Sequence, residues 1–228
     1  MKIARIISDQ SGGVLVEATL VLLLTLLVLF GSVDFLNAFY QWNMANKAVQ
    51  LGARIAAVSN PVASDLPAFD WTSTTYSPGD PLAANSNLYS WTCNSAGCSG
   101  TSTGYSADAL KTIAFGRNWL VTGNARCDPT PNQYLMGMCH MFLGLQSPTN
   151  PANPLFGIDN VVVTYTDTGL GFAYRSAGPI PTITVKLRNV PFQFFFLSGL
   201  MGFGNIQIPA EATSITGEDV SLVGPSAP

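Results

Sequence analysis

Glu17 is the only charged residue between Asp9 and Asp34, and it lies near the start of a long apolar run. A carboxylate among apolar side chains is costly unless it reaches water or meets a cationic partner. Its position therefore leaves two interpretations open. Either Glu17 reaches a membrane interface and has no further role, or it pairs with a cation of another subunit during assembly.

Four cysteines form two close pairs along the chain, Cys93 with Cys98 and Cys127 with Cys139. Four cysteines allow three pairings, and locality favours these two, each closing a short loop worth about 2–3 kcal/mol. The competing interpretation is a metal site built from cysteines and His140. The chain has no CxxC pair, and a compartment outside the cytoplasm oxidises thiols. We therefore expect two disulfides and no metal.

Residues 100–104 match the pattern G-x-S-x-G around Ser102, and Asp108 or Asp128 followed by His140 completes a Ser, Asp, His order. A nucleophile of this kind needs a strand before it and a helix directly after it. A loop rich in Ser, Thr and Gly surrounds Ser102 instead, so we interpret the match as chance. With a single histidine, and without a Walker loop or dinucleotide fingerprint, we expect no enzyme activity and no cofactor.

The elements that position these residues begin with an apolar stretch at residues 13–33, which contains a single charge. As a helix it is about 30 Å long, enough to cross the hydrocarbon core of a bilayer. It is longer than the apolar region of a cleavable secretory signal, and no A-x-A-like site follows it. Lys2 and Arg5 precede it and Asp34 follows it, which predicts a single-pass span with its N-terminus in the cytoplasm.

The helical pattern continues beyond the span over residues 34–59, and Asn60-Pro61 predicts its end. Span and extension together predict one helix of about 45 residues, nearly 70 Å long. Apolar or small residues recur at spacings of three and four, which predicts one apolar face and one polar face. The predicted apolar face contains Phe35, Ala38, Phe39, Trp42, Ala45, Val49, Gly52 and Ala56, and the polar face contains Asn37, Gln41, Lys47, Gln50 and Arg54.

We expect residues 60–228 to form a small extracytoplasmic head. The long helix and an antiparallel sheet in this head make the predicted fold class α+β. Residues 60–106 are rich in Ser, Thr, Asn, Pro and Gly and predict loops and turns. Alternating β-branched residues predict strands further along the chain. The predicted elements are a helix over 107–121 and strands over 161–166, 182–187, 206–208 and 212–215.

A phenylalanine-rich segment at residues 191–204 lies among these strands. Its fourteen residues, interrupted by three glycines, are too few to span a bilayer. Two interpretations remain: the segment packs on the long helix or in the core, or it dips into the membrane surface. A buried position is the one we favour.

The N-terminal segment resembles class III and class IV prepilin signals, and most closely the TadE-like minor pilins, or pseudopilins, of the tight-adherence (Flp-type) pilus. The resemblance rests on Glu17, the Leu/Val run after it, the Phe-Gly-x-Val-Asp-Phe stretch of residues 30–35, and residues 48–57, AVQLGARIAA. A weaker similarity lies at residues 208–219, IPAEATSITGED. The resemblance covers the first 58 residues well and residues 160–219 loosely, and it does not cover the middle of the chain.

The resemblance implies cleavage between Gly12 and Gly13 by a prepilin peptidase, which removes residues 1–12 as a cytoplasmic leader. Glu17 would then be the fifth residue of the mature chain. The new α-amino group is cationic near neutral pH, and it can pair with Glu17 of a neighbouring subunit inside a helix bundle. The implied partners are other pilin subunits, the prepilin peptidase, the pilus assembly machinery and the inner membrane.

The composition of the chain excludes two classes of protein. The chain is 47% hydrophobic and 10% charged with a net charge of -3, which excludes a charge-rich disordered tail and a nucleic-acid binder that needs a basic footprint. We therefore expect a minor pilin in the inner membrane that contributes to pilus assembly and surface attachment. The alternatives are a permanently anchored binding module whose exposed aromatics, in residues 71–91, contact a sugar or surface, and a pseudopilin of a type II secretion system.

Overall fold

A long helix and a five-stranded antiparallel sheet dominate the computed structural model of the chain. It describes residues 11–69, 76–83, 88–117, 119–120, 127, 136–145, 156–174, 180–196, 199, 206–209 and 211–217. The α-helices are α1 (Ser11–Val58) and α2 (Ala107–Phe115), and 3-10 turns span Leu66–Ala68, Met138–Leu145 and Ile158–Asn160. The strands are β1 (Ser90–Asn94), β2 (Gly97–Gly100), β3 (Val161–Thr166), β4 (Thr182–Leu187) and β5 (Ala212–Thr216).

The helix α1 joins the predicted span and its predicted extension without a break, over 48 residues. Leu, Val and Ala dominate its sequence, and no proline interrupts it before Pro61. At a rise of about 1.5 Å per residue it is about 72 Å long. The prediction of one continuous helix is therefore confirmed.

The sheet has the strand order β2-β1-β3-β4-β5, and each neighbouring pair is antiparallel. Side chains in β3 and β4 alternate between one buried face and one partly exposed face, as the pleat of a half-buried sheet requires. The buried face carries Trp91, Cys93, Val161, Val163, Tyr165, Ile183, Val185 and Leu187. The α+β class and the two central strands are as predicted.

The prediction of loops throughout residues 60–106 is wrong in its last part, because β1 and β2 form a hairpin there. The register places Cys93 opposite Cys98, and Asn94 opposite Gly97 at the turn. Gly97 has a φ of 137°, a conformation that favours glycine. The sequence of β1 alternates polar and apolar residues over Ser90–Asn94, and Trp91 and Cys93 are its buried side chains. The polar strand β2 is held in the sheet by its pairing with β1, which pairs with β3 on its other side.

The predicted helix over 107–121 begins where expected but ends earlier. Ser106 caps its first turn, since its hydroxyl accepts a hydrogen bond from the Ala109 N–H at 3.3 Å. Gly116, with a φ of 79°, ends it after Phe115. Trp119 and Leu120 are helical again, and Val121 lies outside the described residues.

The predicted strand over 206–208 is also wrong. Gln207 makes only an isolated antiparallel bridge with Pro191. The last strand of the sheet is β5, which pairs with β4 over Ala212–Thr216. The prediction of a strand over 212–215 is therefore confirmed.

The chain divides into two compact units. One consists of Met1–Tyr40 with Phe192–Ile206, and the other of Gln41–Pro191 with Gln207–Pro228. The second unit contains the sheet and the described part of the predicted head that lies outside Phe192–Ile206. We refer to the described residues Phe192–Phe196 of the first unit as the aromatic loop.

Candidate functional site: the apolar helix and the aromatic loop

The first part of α1 exposes large apolar side chains on all sides. Every residue from Gly13 to Leu29 is exposed, and Leu23 keeps 64% of its surface accessible. Among the described residues, α1 is the one helix that is long and apolar enough to cross a membrane. None of its most apolar window is buried by the rest of the chain. This part of α1 is therefore a candidate membrane anchor.

Three hydroxyl side chains in this part of α1 form hydrogen bonds within the helix itself. Thr19 Oγ1 donates to the Val16 carbonyl at 2.8 Å, and Thr25 Oγ1 donates to Val21 at 2.8 Å. Ser32 Oγ donates to Leu29 at 2.7 Å. Hydroxyl groups paired in this way can lie in hydrocarbon without leaving a donor unsatisfied.

Glu17 is exposed on α1, with no apolar cover from the rest of the described chain. It borders a shallow groove whose other lining residues are Val14, Ala18, Val21, Leu22 and Thr25. Gly12 and Gly13 lie in the described N-terminal turns of α1, and a Cβ at Gly13 would meet no atom within 4 Å. The proposed cleavage between the glycines and the assembly role of Glu17 remain predictions.

Asp34 is fully buried at the end of the apolar stretch, and its carboxylate holds the aromatic loop. Oδ1 accepts the Phe195 N–H at 2.8 Å, and Oδ2 accepts the Phe196 N–H at 3.0 Å. One turn further along α1, Asn37 Nδ2 donates to the Gln193 carbonyl at 2.7 Å. Hydrogen bonds to an ionised group are about twice as strong as neutral ones, so Asp34 is the main anchor of this loop.

Aromatic stacking adds to these hydrogen bonds. The rings of Phe30 and Phe196 are 4.4 Å apart and nearly parallel, 17° from coplanar. The aromatic loop thus lies along one face of α1 within the first unit. Packing on the long helix is thus confirmed for described residues of 191–204, but the favoured buried position is wrong for Phe195 and Phe196, which are exposed because α1 binds their backbone N–H groups. Residues 197–198 and 200–205 lie outside the described residues.

The predicted amphipathic faces need correction in the first turns after the span. Asp34 and Gln41 are buried, with Gln41 keeping 1% of its surface, although Gln41 was expected on the polar face. Phe35 and Phe39, expected on the apolar contact face, are exposed. The physical reason is that polar side chains of α1 here pair with groups of the chain, as Asp34 does with the loop backbone, and leave the aromatic rings outside.

The further part of α1 has the predicted pattern of small buried residues. Ala45, Val49 and Ala56 are buried, and Lys47 and Arg54 are exposed. Trp42, at the start of this part, is 40% exposed, and its Nε1 donates a hydrogen bond to Glu211 Oε1 just before β5.

The head has two disulfides, which join Cys93 to Cys98 and Cys127 to Cys139. These are the two pairings that locality favours. The first crosses the β1–β2 hairpin, and the second closes a longer loop onto the 3-10 turn at Met138–Leu145.

His140 is buried beside the second disulfide, and the Sγ atoms of Cys127 and Cys139 lie within 4.8 Å of its ring nitrogens. Both sulfurs are bonded to each other, so neither is a thiolate that can bind a metal ion. The Nδ1 atom accepts the Gly137 N–H at 2.9 Å. His140 thus belongs to the packing of this turn.

Ser102 has a structural environment. Its hydroxyl accepts a hydrogen bond from Trp91 Nε1 at 2.9 Å. The Ser102 hydroxyl also hydrogen-bonds Asp65, and this bond is the main reason that the pKa of Asp65 is lowered; the Gly104 N–H, at 3.0 Å from Asp65 Oδ2, adds to it. Asp108 pairs with Lys111 at 3.2 Å on α2, and Asp128 lies outside the described residues.

Sequence reasoning missed the Asp34 anchor. A signal was present, because Asp34 is an isolated acid at the end of an apolar span and residues 191–210 contain no charged side chain. An acid in that position needs donors, and backbone N–H groups of an uncharged segment supply them.

Comparison with known families agrees with the N-terminal part of this picture. Residues 12–54 match the family model described as TadE-like protein. The match lies entirely within α1 and includes Gly12, Gly13, Glu17 and Asp34. The weaker similarity at residues 208–219 falls outside it. No curated protein and no solved structure matches the chain significantly.

Proposed function

We propose, from the TadE-like segment at residues 12–54, that this protein is a membrane-anchored minor pilin that contributes to tight-adherence pilus assembly and surface attachment. The observation that carries the proposal is the coincidence of that segment with a helix whose apolar first part is fully exposed. A family match alone gives a pilus-associated role in general. The unpartnered apolar surface adds that this helix needs lipid before assembly and other helices after it.

The proposed sequence of events follows from the chemistry of the N-terminus. A prepilin peptidase cleaves between Gly12 and Gly13 and leaves a cationic α-amino group on Gly13. In the fibre, this group pairs with Glu17 of a neighbouring subunit in a medium of low dielectric constant. A misplaced subunit leaves the carboxylate unpaired, so the pair selects the correct register.

The proposed location is the inner membrane, with the N-terminus in the cytoplasm and the sheet outside. Lys2 and Arg5 before the span and Asp34 after it support this orientation. Two disulfides agree with an oxidising compartment for the head. We assign the head no catalytic role.

The main alternative, a permanently anchored binding module, relied on exposed aromatic residues in residues 71–91. Tyr89 and Trp91 are both buried, at 2% and 0% exposure, and they pack against Phe69. This arrangement favours a core role for these two rings over a sugar-binding platform. Trp71 lies outside the described residues.

Mass spectrometry of the N-terminus tests the processing step. The protein is purified from membranes of cells with and without the prepilin peptidase. We expect a chain that begins at Gly13 in the first case and at Met1 in the second. A chain that still begins at Met1 in peptidase-positive cells would exclude the processed pilin and favour the anchored module.

The substitution Glu17→Ala tests the assembly step. We expect normal membrane insertion and cleavage, but reduced recovery of the protein in sheared pili. Thr19→Ala is the matched control, because Thr19 lies on the same exposed stretch and its hydroxyl bonds only its own helix. Equal incorporation of the two variants would remove the assembly role of Glu17.

A further inference from the structure

The aromatic loop lies at the level where the apolar span of α1 ends. From Gly13 to Phe30 the helix rises about 26 Å, and to Asp34 about 32 Å. The hydrocarbon core of a bilayer is about 30 Å thick. Because Phe196 stacks on Phe30 and both loop N–H groups bind Asp34, the loop lies at one boundary of the core whenever residues 13–33 span it.

Two rings of this loop, Phe195 and Phe196, are exposed, and Phe192 and Phe194 are half-buried. Phe195 keeps 63% and Phe196 keeps 43% of its surface accessible. Phe35 and Leu36 are exposed on α1 at the same level. No charged side chain occurs between Arg188 and Glu211, so the loop brings no charge to this boundary.

Several backbone groups of the loop have hydrogen-bond partners, as a position beside hydrocarbon requires. Non-helical backbone is costly at membrane depth unless protein groups pair with it. Asp34 takes the N–H groups of Phe195 and Phe196, and Asn37 donates to the carbonyl of Gln193. Polar side chains of α1 thus bind the backbone of the loop, the Phe196 ring lies against Phe30, and the Phe195 ring is largely exposed.

We propose that the aromatic loop is a second membrane contact, in which Phe195 and Phe196 enter the bilayer interface at the C-terminal end of the span. The two rings contact phospholipid, and Asp34 is the positioning residue that holds the loop at this depth. Aromatic rings concentrate at such interfaces in membrane proteins. The proposal rests on the membrane anchoring proposed above, and it predicts that this end of α1 is held at a fixed depth.

Site-specific photocrosslinking in vesicles tests it. The full chain, with p-benzoylphenylalanine in place of Phe195, is reconstituted in vesicles of phosphatidylethanolamine and phosphatidylglycerol and irradiated. Adducts are identified by mass. We expect a phospholipid adduct at Phe195, as at Leu24 in the middle of the span. We expect none at Phe172, which is a similarly exposed phenylalanine of the other unit, at 58% exposure.

The outcomes separate the two proposals. A lipid adduct at Leu24 without one at Phe195 overturns the second contact and leaves the anchor intact. Absence of lipid adducts at both positions overturns both proposals. An adduct from Phe195 to another copy of the chain, in place of lipid, overturns the lipid assignment in favour of a subunit contact.

The role of Asp34 is tested in the same assay with Asp34→Ala and Asp34→Asn. The first removes both acceptors and the second keeps one. We expect loss of most of the Phe195 lipid adduct in Asp34→Ala, a smaller loss in Asp34→Asn, and an unchanged adduct at Leu24 in both. An undiminished Phe195 adduct in Asp34→Ala would remove Asp34 from the proposal.

Discussion

The two parts of α1, Gly13–Tyr40 and Gln41–Val58, belong to one helix but have opposite surfaces. The first part exposes large side chains, such as Leu23 at 64% exposure, whereas the second part buries small ones, such as Ala48 at 0%. Full burial of a leucine side chain is worth about 1.5–3 kcal/mol, so many exposed leucines are unfavourable in water. The large side chains are therefore suited to a surrounding that adapts to them, such as lipid or a bundle.

The second part has a fixed partner, and small residues let that partner approach the helix closely. Gly52 shows this most clearly, because a Cβ there would lie 2.5 Å from the Sδ atom of Met138 and 2.8 Å from its Cγ atom. In the first part, a Cβ at Gly31 would meet no atom within 4 Å. The two parts of α1 thus differ in side-chain size: the exposed part carries large side chains, and the part packed against Met138 carries small ones.

Removal of the second disulfide should have the largest effect on the second part of α1 and none on the first. Cys139 directly follows Met138, which contacts Gly52. We expect the double substitution Cys127→Ser and Cys139→Ser to lower the free energy of unfolding of the head by about 3 kcal/mol. Membrane retention, which depends on the first part of α1, should not change. Thermal unfolding followed by near-ultraviolet circular dichroism measures the first effect, and resistance to carbonate extraction measures the second.

The shorter disulfide is the matched control. Serine at Cys93 and Cys98 opens a smaller loop, and we expect a loss of about 2 kcal/mol. A loss of membrane retention in either variant would contradict the independence of the two parts of α1.

Two glycine substitutions, one in each part of α1, test whether the first part is open and the second part is closely packed. We expect Gly52→Leu to destabilise the head by about 1–3 kcal/mol, because the new side chain overlaps the buried Met138. Gly31→Leu should be neutral or slightly stabilising, because leucine favours the helix by up to about 1 kcal/mol over glycine and meets open space. Unfolding in detergent compares the two, and equal effects would contradict the assigned surfaces.

Alkaline pH provides the smallest effect, and it acts on the head through Tyr165. Burial raises the pKa of the Tyr165 phenol far above its usual value of 10, although the Val62 N–H bonded to its oxygen at 2.9 Å opposes this. The raised pKa means that the head is fully stable below pH 10 and loses stability as the pH rises, because only the unfolded chain ionises readily. Tyr165 alone should account for a loss of about 1.4 kcal/mol at pH 11. Burial, with the nearby Asp167, also raises the pKa of Tyr89, so Tyr89 adds to the loss.

Tyr165→Phe should reduce this dependence on alkaline pH while lowering stability near pH 7 by about 1 kcal/mol through the lost hydrogen bond. Unfolding by urea at pH 7 and pH 11 measures both changes. An unchanged slope with pH in the variant would mean that another group titrates.

The sequence predicted the elements in which local pattern and environment agree. Strands β3 and β4 lie where alternating β-branched residues indicated them, and α1 is continuous because no proline interrupts it before Pro61. The hairpin of β1 and β2 was missed because Ser, Thr, Asn and Gly dominate it. The alternation of Ser90–Asn94 was a local signal for β1, but it covers only five residues and β2 does not share it.

The faces of α1 were predicted well where burial follows apolarity, at Ala45, Val49 and Ala56. They were predicted wrongly at Gln41, and the Asp34 anchor was missed, because a buried polar residue is identified by its partner and not by its own type. In the case of Asp34, that partner is backbone more than 160 residues away in the chain. Periodicity within a helix cannot contain that information.

The position of the aromatic loop between β4 and β5 also governs the order in which the sheet is completed. Strand β4 pairs with β5 from Thr182 to Lys186. Pro191 and Gln207, which flank residues 192–206, form an isolated bridge. Until β5 pairs with it, β4 has an open edge with unpaired backbone groups, which is a template for aggregation. A chain that ends after the aromatic loop would therefore expose this edge and be prone to self-association.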